Sequence, residues 1–453
     1  MNKSYRIKII LTALAFTAAA SGELIALLCR LDGAALLLWA AICLAALVFT
    51  VWLPGKTPGQ TRRLRGLQKG LSEMKIFLFS FLVNTAAWIV FLIAAPKPDA
   101  SDRIVSVTVV VLLMLLWLAA EGVICLAAML RIQVHSRQLT VLTRVVMIFL
   151  WWMPVVNLIA LKNTLTAVRN ELAFENEQEA MNAVRKEREI CKTNYPILLV
   201  HGVFFRDLRY FNYWGRVAAE LKRNGAVLFY GQQPSAATAE ECGAALAARI
   251  AEIVAESGCE KVNIIAHSKG GLDARCAISL SGAAQSVASL TTICAPHNGS
   301  AAADYLLKKA PAAVKLFVAR RYNAAMRKFG DANPDFLRAA QSLTAEACAA
   351  LNAKTPDAPD VFYQSVMTKM SSAKSASFPL NVTYRIIKKA EGDNDGLVSV
   401  ASGTRWQCRL IEPQGKQGIS HGDVIDLTRK NIPGFSVREV YTDIVIDLKN
   451  RGF

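Results

Sequence analysis

The chain has 453 residues, 53% of them apolar and 19% charged, and its formal net charge at pH 7 is +17. So high an apolar fraction is unusual for a purely soluble protein. Residues 1–165 carry 16 basic and six acidic side chains, so a net charge of +10 lies in the most apolar part of the chain. We therefore attribute most of the basic excess to membrane topology and expect no nucleic-acid partner.

Five long apolar runs occupy the first 161 residues. They extend over residues 9–29, 34–53, 76–95, 104–129 and 145–161. The first four are long enough to cross the hydrocarbon core as helices, which takes about 20 residues each. The fifth is shorter and contains Pro154. The pattern predicts an N-terminal all-α transmembrane bundle of four or five helices over residues 1–161. The first run resembles a secretory signal, but its apolar residues continue to Cys29, which favours an uncleaved span.

Basic residues between the runs predict the orientation. Twelve lie at the amino terminus and in the loops after the second and fourth runs, and three lie in the alternate loops. By the positive-inside rule, the amino terminus is cytoplasmic. If the fifth run spans, the rest of the chain is extracytoplasmic, whereas it is cytoplasmic if that run lies in the interface. We favour the first arrangement, in a multi-pass protein of the cell membrane.

Residues 162–192 are charged and favour a helix, which predicts a stalk or linker between two domains. From residue 193 to 453, short apolar runs alternate with amphipathic ones. Predicted strands cover 197–200, 226–230, 262–266 and 290–294, and predicted helices cover 214–222, 237–256 and 270–280. Such alternation predicts a mostly parallel sheet with helices on both faces, whose active residues follow the carboxyl ends of the strands.

Ser268 lies between a predicted strand and a predicted helix, in the sequence Ala-His-Ser-Lys-Gly of residues 266–270. A sharp strand-to-helix turn with small neighbours exposes a serine hydroxyl as a nucleophile. The common pattern is G-x-S-x-G, and here Ala266 replaces the first glycine. Small residues around a serine also occur in ordinary loops. The motif therefore indicates a nucleophile only if the chain also supplies the other catalytic groups.

Those partners are a base and an acid that orients the base. The five histidines of the chain are His135, His201, His267, His297 and His421. His135 lies in a predicted cytoplasmic loop, and His267 adjoins the serine. His201 and His297 each follow a predicted strand and belong to loop motifs. His421 therefore remains as the candidate base. The acid is expected between serine and histidine in the chain, and Asp395 fits best, after a predicted strand at 382–387, with Asp393 as its rival. Two backbone amides are the predicted oxyanion donors. One is that of Lys269, and the other is that of Val203, in the loop that contains His201 and Gly202.

Five motifs now make a family recognisable. They are YPILLVHG at residues 195–202, AHSKGGLDAR at 266–275, APHNGS at 295–300, DGLV at 395–398 and HGD at 421–423. In sequence and order they resemble the bacterial triacylglycerol lipases of the α/β-hydrolase fold, over residues 190–450. The resemblance implies ester hydrolysis with Ser268, Asp395 and His421 as the triad. His201, Gly202, His267 and Gly270 complete the motifs around these groups.

The resemblance also implies two further features. Many such lipases hold a structural calcium ion through an aspartate two residues after the catalytic histidine, which here is Asp423. Their second aspartate has no counterpart, since residues 366–390 contain no acidic side chain. Residues 303–329 occupy the place of the lid, and they carry seven basic side chains and one acidic one, Asp304. A basic amphipathic segment suits an anionic lipid surface, although a solvated helix face over the core has the same pattern.

The sequence thus predicts a membrane-anchored serine ester hydrolase that acts on acyl esters of lipids through an acyl-enzyme. Its expected partners are this substrate and the bilayer. The chemistry requires no cofactor, and calcium remains a candidate ligand. An acyltransferase with the same triad is one alternative, and a membrane scaffold with a silent hydrolase domain is another. The oligomeric state is not encoded in any motif.

Overall fold

The computed structural model describes residues 3–29, 31–52, 61–94, 103–149, 153–185, 187–203, 213–328, 334–412 and 417–453. The chain divides into two compact units, Met1–Met181 and Asn182–Phe453. The predicted domain boundary after residue 161 and the start of the predicted linker both fall inside one helix, Pro154–Arg185.

The first unit is helical. Its helices are α1 (Lys3–Ala20), α2 (Gly22–Leu28), α3 (Gly33–Trp52), α4 (Arg62–Ala94), α5 (Arg103–His135), α6 (Val141–Phe149) and α7 (Pro154–Arg185), the last of which continues into the second unit. By length and composition, three helices of the described residues could cross a membrane, within α3, α4 and α5, or four if α1 and α2, which are bent by 61°, form one span. The predicted fifth span is not among them. Its sequence is divided between α6 and the mainly polar α7, and residues 150–152 lie outside the described part.

Helices α4 and α5 pack against each other through small and branched apolar residues, including Leu67, Ala128 and Ile132. Few residues of the three candidate spans are buried within the unit, as expected for helices surrounded by lipid. A carboxylate buried between two candidate spans is that of Glu121, which accepts hydrogen bonds from the Ser80 hydroxyl at 2.5 Å and the Asn84 amide at 3.3 Å. This contact between α5 and α4 matches the helix-to-helix role that is common for polar groups in membranes.

The second unit contains a six-stranded parallel sheet. Its strands are β1 (Ile197–Val200), β2 (Leu228–Tyr230), β3 (Val262–His267), β4 (Val287–Ile293), β5 (Phe362–Thr368) and β6 (Gln407–Ile411), in the order β2-β1-β3-β4-β5-β6. All neighbouring strands are parallel. The strand order reverses between β1 and β3, and ligands of such sheets bind beyond the carboxyl ends of the strands at this point.

Helices cover both faces of this sheet. They are α8 (Val217–Arg223), α9 (Ala239–Ser257), α10 (Lys269–Ser279), α11 (Ala301–Lys308), α12 (Ala312–Lys328), α13 (Phe336–Gln341), α14 (Ala345–Lys354), α15 (Leu380–Ala390), α16 (Val400–Gly403) and α17 (Val437–Asn450). Alternate residues of β1 enter two separate cores, one closed by α8 and α17 and the other by α9 and α10. The predicted class, a parallel sheet between two helical layers, is confirmed.

The predicted strands and helices up to residue 294 are present, with ends shifted by up to three residues. The predicted strand at 382–387 is wrong, because this segment lies in α15. Its β-branched residues suggested a strand, but Tyr384 and Ile387, three positions apart, are the buried ones, and Val382 is exposed. Packing of this helical face outweighs the local strand preference.

Candidate active site

Ser268 occupies the turn between β3 and α10. Its backbone has φ 58° and ψ −133°, a conformation that is rare for residues other than glycine. The Ser268 amide donates to the carbonyl of Ile293 at 2.9 Å, which anchors the turn on β4. A strained serine held this way projects from the carboxyl edge of the sheet, where the sequence predicts the nucleophile.

Glycines beside Ser268 allow the chain to close tightly around it. A Cβ atom on Gly270 would lie 2.4 Å from the His201 carbonyl oxygen, and one on Gly202 would lie 2.7 Å from the Cβ of Ser268. The loop after β1 and the start of α10 therefore touch through backbone atoms. Ala266, in place of the common glycine, is fully buried at the end of β3, so the methyl group fits.

His421 and Asp395 form a buried pair. The Nδ1 atom of His421 lies 2.6 Å from Oδ2 of Asp395, and the His421 amide donates to the Asp395 carbonyl at 2.8 Å. The other carboxylate oxygen, Oδ1, accepts from the amides of Leu397 at 2.9 Å and Val398 at 2.8 Å. With both oxygens engaged, Asp395 can hold the imidazole in one orientation and in the tautomer that leaves Nε2 free to accept a proton.

The rival carboxylate, Asp393, has a different environment. It is half exposed and pairs with Lys388 at 2.5 Å and Lys369 at 3.2 Å. The hydrogen bonds and charges of these lysines hold the pKa of Asp393 below its usual value. Asp393 thus belongs to a surface ion pair, and Asp395 is the acid that contacts the histidine.

Tyr213, which the sequence analysis missed, connects the two halves of the site. Its hydroxyl accepts from the Gly202 amide at 3.0 Å and lies 2.7 Å from Nδ1 of His267. The rings of His267 and His421 are 4.4 Å apart. Burial, and then the charge of His421, lowers the pKa of His267, so this residue is a neutral spacer. A tyrosine twelve positions after His201 has no sequence signal that separates it from a core aromatic.

The predicted oxyanion segments follow the neighbouring strands β1 and β3. Val203 is buried in an apolar cluster that includes Tyr322 and Met326 of α12. The Lys269 side chain is buried beneath the site, where its Nζ atom lies 2.6 Å from Oδ1 of Asp273. Residues 204–212, which continue the first segment, lie outside the described part of the chain, as does residue 329 at the end of the predicted lid.

The other histidines have local partners. Nδ1 of His201 contacts the Gly202 carbonyl at 2.9 Å, which shapes the loop after β1. Nε2 of His297 lies 3.1 Å from the Thr292 hydroxyl in a fully buried position. His135 ends α5 in the first unit. Among the described histidines, His421 is the one that contacts a candidate catalytic acid.

Asp423 caps the turn that holds His421. Its Oδ2 atom accepts from the Ser420 amide at 3.1 Å and from the Ser420 hydroxyl at 2.6 Å. In the described residues, the one cluster of three or more metal-ligating groups is Cys294, Asp395 and His421, which does not include Asp423. The calcium ion implied for Asp423 therefore stays a prediction, since calcium also takes backbone and amide oxygens as ligands.

Part of the chain is similar in sequence to known triacylglycerol lipases. No protein-family model matches the chain. A triacylglycerol lipase of Vibrio cholerae is 39% identical over 114 residues, which are 25% of this chain and 36% of that protein. A triacylglycerol lipase of Pseudarthrobacter phenanthrenivorans is 32% identical over 181 residues, which are 37% of this chain and 55% of that protein.

The chain thus spans between about a third and just over half of the length of these curated relatives. Among solved structures, the lipase of Staphylococcus hyicus aligns with 57% of this chain and 97% of its own, at 16% identity and a TM-score of 0.45. The sequence relatives confirm the resemblance to triacylglycerol lipases that the five motifs predict.

Proposed function

We propose that the protein is a membrane-anchored serine ester hydrolase that cleaves acyl esters of lipids. The observation that carries this proposal is the buried pair of His421 and Asp395 beside the strained Ser268 turn. A serine, an oriented histidine and a buried acid are the groups that nucleophilic acyl transfer needs. The similarity to triacylglycerol lipases supports the same reaction class.

In the proposed reaction, Nε2 of His421 takes the proton of the Ser268 hydroxyl while Oγ attacks the ester carbonyl carbon. The amides of Val203 and Lys269 donate to the resulting oxyanion. The tetrahedral intermediate then expels the alcohol, which receives the proton from His421, and an acyl-serine remains. His421 then deprotonates a water molecule, which attacks the acyl-serine and forms a second tetrahedral intermediate. When this intermediate collapses, it releases the carboxylic acid, and His421 returns the proton to Ser268.

The predicted lid contributes a candidate docking surface for lipid. The outer face of α12 exposes Val314 and Phe317 near its start and Arg320 and Arg321 further on, and the helix contains no acidic residue. We propose that this face lies on an anionic bilayer, because apolar side chains beside cations suit the boundary between headgroups and acyl chains. Its opposite face is occupied by packing within the unit.

Location follows from the apolar helices. We propose a multi-pass membrane protein, on the basis of the three or four candidate spans. We also propose that the fifth apolar run, residues 145–161, crosses the membrane, because only this further span places the hydrolase unit outside the cytoplasm, given the basic residues that follow α5. Accessibility of the hydrolase unit to protease in sealed, oriented vesicles tests the side of the membrane. Digestion only after the cytoplasmic face is exposed would contradict this orientation.

Labelling by a fluorophosphonate probe tests the catalytic proposal. We expect the full chain in detergent to be labelled, and Ser268→Ala to abolish both labelling and hydrolysis of a series of p-nitrophenyl esters. Labelling that persists in Ser268→Ala, or its absence from the wild type, contradicts the proposal. Product analysis with an added alcohol separates a hydrolase, which releases free acid, from an acyltransferase, which forms the new ester.

The docking surface has its own test in reconstituted liposomes. We expect the full chain to be more active in vesicles that contain phosphatidylglycerol than in pure phosphatidylcholine, and Arg320→Glu with Arg321→Glu to remove the difference. Lys354→Glu, at an exposed basic residue at the end of α14, is the matched control. Equal activity in both vesicle types refutes the surface but leaves the triad untouched.

A further inference from the structure

A buried polar network lies beneath the candidate active site. Nζ of Lys269 lies 2.6 Å from Oδ1 of Asp273, one turn later in α10, and both side chains are about 1–2% exposed. The Gln233 amide donates to the carbonyl oxygen of His201 at 2.9 Å. Burial raises the pKa of the Asp273 carboxyl, and hydrogen bonds from Lys269 and Gln233 oppose this rise. The network therefore runs from the start of α10 to the loop after β1.

The short contact between Lys269 and Asp273 favours the charged forms of both side chains. Burial alone would lower the pKa of Lys269, but the Asp273 carboxylate holds it above its usual value, so the ammonium persists. The Cys242 sulfur is 3.2 Å from the same nitrogen. Burial raises the pKa of this thiol to about 12, so it stays protonated and Asp273 is the anion that Lys269 faces.

A buried ion pair usually adds little to the free energy of unfolding. Removing two charges from water costs several kcal/mol, and apolar residues of similar size often stabilise a core equally well. A backbone amide at position 269 could serve the oxyanion with any side chain. A lysine that is buried, paired and tied through Gln233 to another segment therefore suggests a geometric role.

The two ends of the network are the two predicted oxyanion segments. Lys269 provides one amide, and His201 is two residues before Val203, which provides the other. Gly270 presses against the same His201 carbonyl that Gln233 binds, since a Cβ there would approach it to 2.4 Å. The His201 carbonyl oxygen is thus the atom at which the network holds the segment after β1 against the start of α10.

We propose that Gln233, Asp273 and the Lys269 side chain are positioning residues that fix the separation of the Val203 and Lys269 amides. This inference rests on the proposed ester hydrolysis. Because the amides bind the oxyanion that forms in the transition state, a loosened network slows the chemical step and leaves substrate binding nearly unchanged.

The test compares Gln233→Met with the wild type as full chains in detergent. We expect kcat for a p-nitrophenyl ester to fall by about tenfold to a hundredfold while KM stays unchanged. This decrease does not exceed the one that removal of a whole oxyanion donor causes. The rate ratio between an ester and its thionoester should fall in parallel, because a developing thiolate accepts amide hydrogen bonds more weakly than an oxyanion. A purely structural role would not change this ratio.

Two further variants complete the design. Lys269→Met with Asp273→Leu replaces the ion pair by apolar residues and should give the same selective loss of kcat and of the ratio in a folded protein. Arg275→Met, on the same helix, removes a buried side chain that donates to Asn352 at 2.7 Å and to Thr355 at 2.8 Å. This control should lower Tm and leave the ratio unchanged.

Folded variants with wild-type kcat and ratio overturn the proposal, and so does a failure of both Gln233→Met and the double variant to fold. A wild type that lacks Ser268-dependent labelling refutes the proposed hydrolase instead. The two failures are therefore distinguishable in one set of measurements.

Discussion

Substitution of Asp395 by asparagine is the sharpest test of the triad. The Oδ1 atom of Asp395 accepts from two backbone amides, of Leu397 and Val398, and Oδ2 lies 2.6 Å from Nδ1 of His421. In Asp395→Asn, the two amides select the carbonyl oxygen of the new side chain. Its NH₂ group then points to His421, where Nδ1 must accept, so the proton moves to Nε2 and the base can no longer receive the serine proton.

The expected cost follows from this tautomer. A triad histidine locked in the wrong tautomer lowers kcat by about 10⁴-fold. At about 1.4 kcal/mol for each factor of ten, the barrier rises by roughly 5–6 kcal/mol. Folding should be retained, since the asparagine preserves the shape of the carboxylate and each of its backbone contacts.

The assay is the rate of p-nitrophenyl ester hydrolysis and of fluorophosphonate labelling, each compared with Asp393→Asn. Asp393 is half exposed and pairs with lysines, so its variant should retain activity within about twofold, as surface changes usually do. The reasoning is refuted if Asp395→Asn remains active while folded, or if Asp393→Asn is the variant that loses activity.

Three other outcomes are expected. Tyr213→Phe removes the hydroxyl that accepts from the Gly202 amide at 3.0 Å, so the free energy of unfolding should fall by about 1–3 kcal/mol and kcat should drop. An unchanged midpoint of chemical denaturation together with an unchanged kcat would contradict this expectation. Gly270→Ala places a Cβ 2.4 Å from the His201 carbonyl oxygen, so stability should fall by about 1–3 kcal/mol or the protein should not fold, as followed by thermal unfolding. Burial, and then nearby arginine charges, depress the pKa of His297, so as pH falls below about 6.5 the unfolded state takes up a proton that the folded state does not, and the free energy of unfolding decreases by up to about 1.4 kcal/mol per pH unit. His297→Asn should therefore make the decrease in Tm between pH 7 and 5 shallower, while His267, whose pKa burial also lowers, continues to contribute. An equal slope in both proteins would refute the assignment.

The sequence was informative where one local pattern determines one structure. The apolar run before Ser268 and the small residues after it predict a strand and a helix, and both are present. The turn-forming sequence at residues 392–396 likewise predicts a loop, and the structure has a loop there that carries the candidate acid. These signals are local in the chain, so they need no knowledge of packing.

The unpredicted features depend on contacts between distant segments. Asp393 and Asp395 are equivalent in a turn-forming sequence, and only the fold buries one of them and places the other beside lysines. Tyr213 gains its role from a histidine 54 positions later in the chain. The error at 382–387 has the same origin, since the choice of helix over strand there depends on which residues the rest of the unit buries.

The contacts of Val203 join the proposed chemistry to the proposed lipid surface. The face of α12 that carries Ala319, Tyr322 and Met326 belongs to the same buried apolar cluster as Val203, whereas the exposed face carries the basic residues. A displacement of α12 on a bilayer would therefore disturb the buried cluster that also contains Val203, Ala236 and Phe336. The proposed network of Gln233, Asp273 and Lys269 acts on the same segment from the protein interior, through the hydrogen bond of Gln233 to the His201 carbonyl.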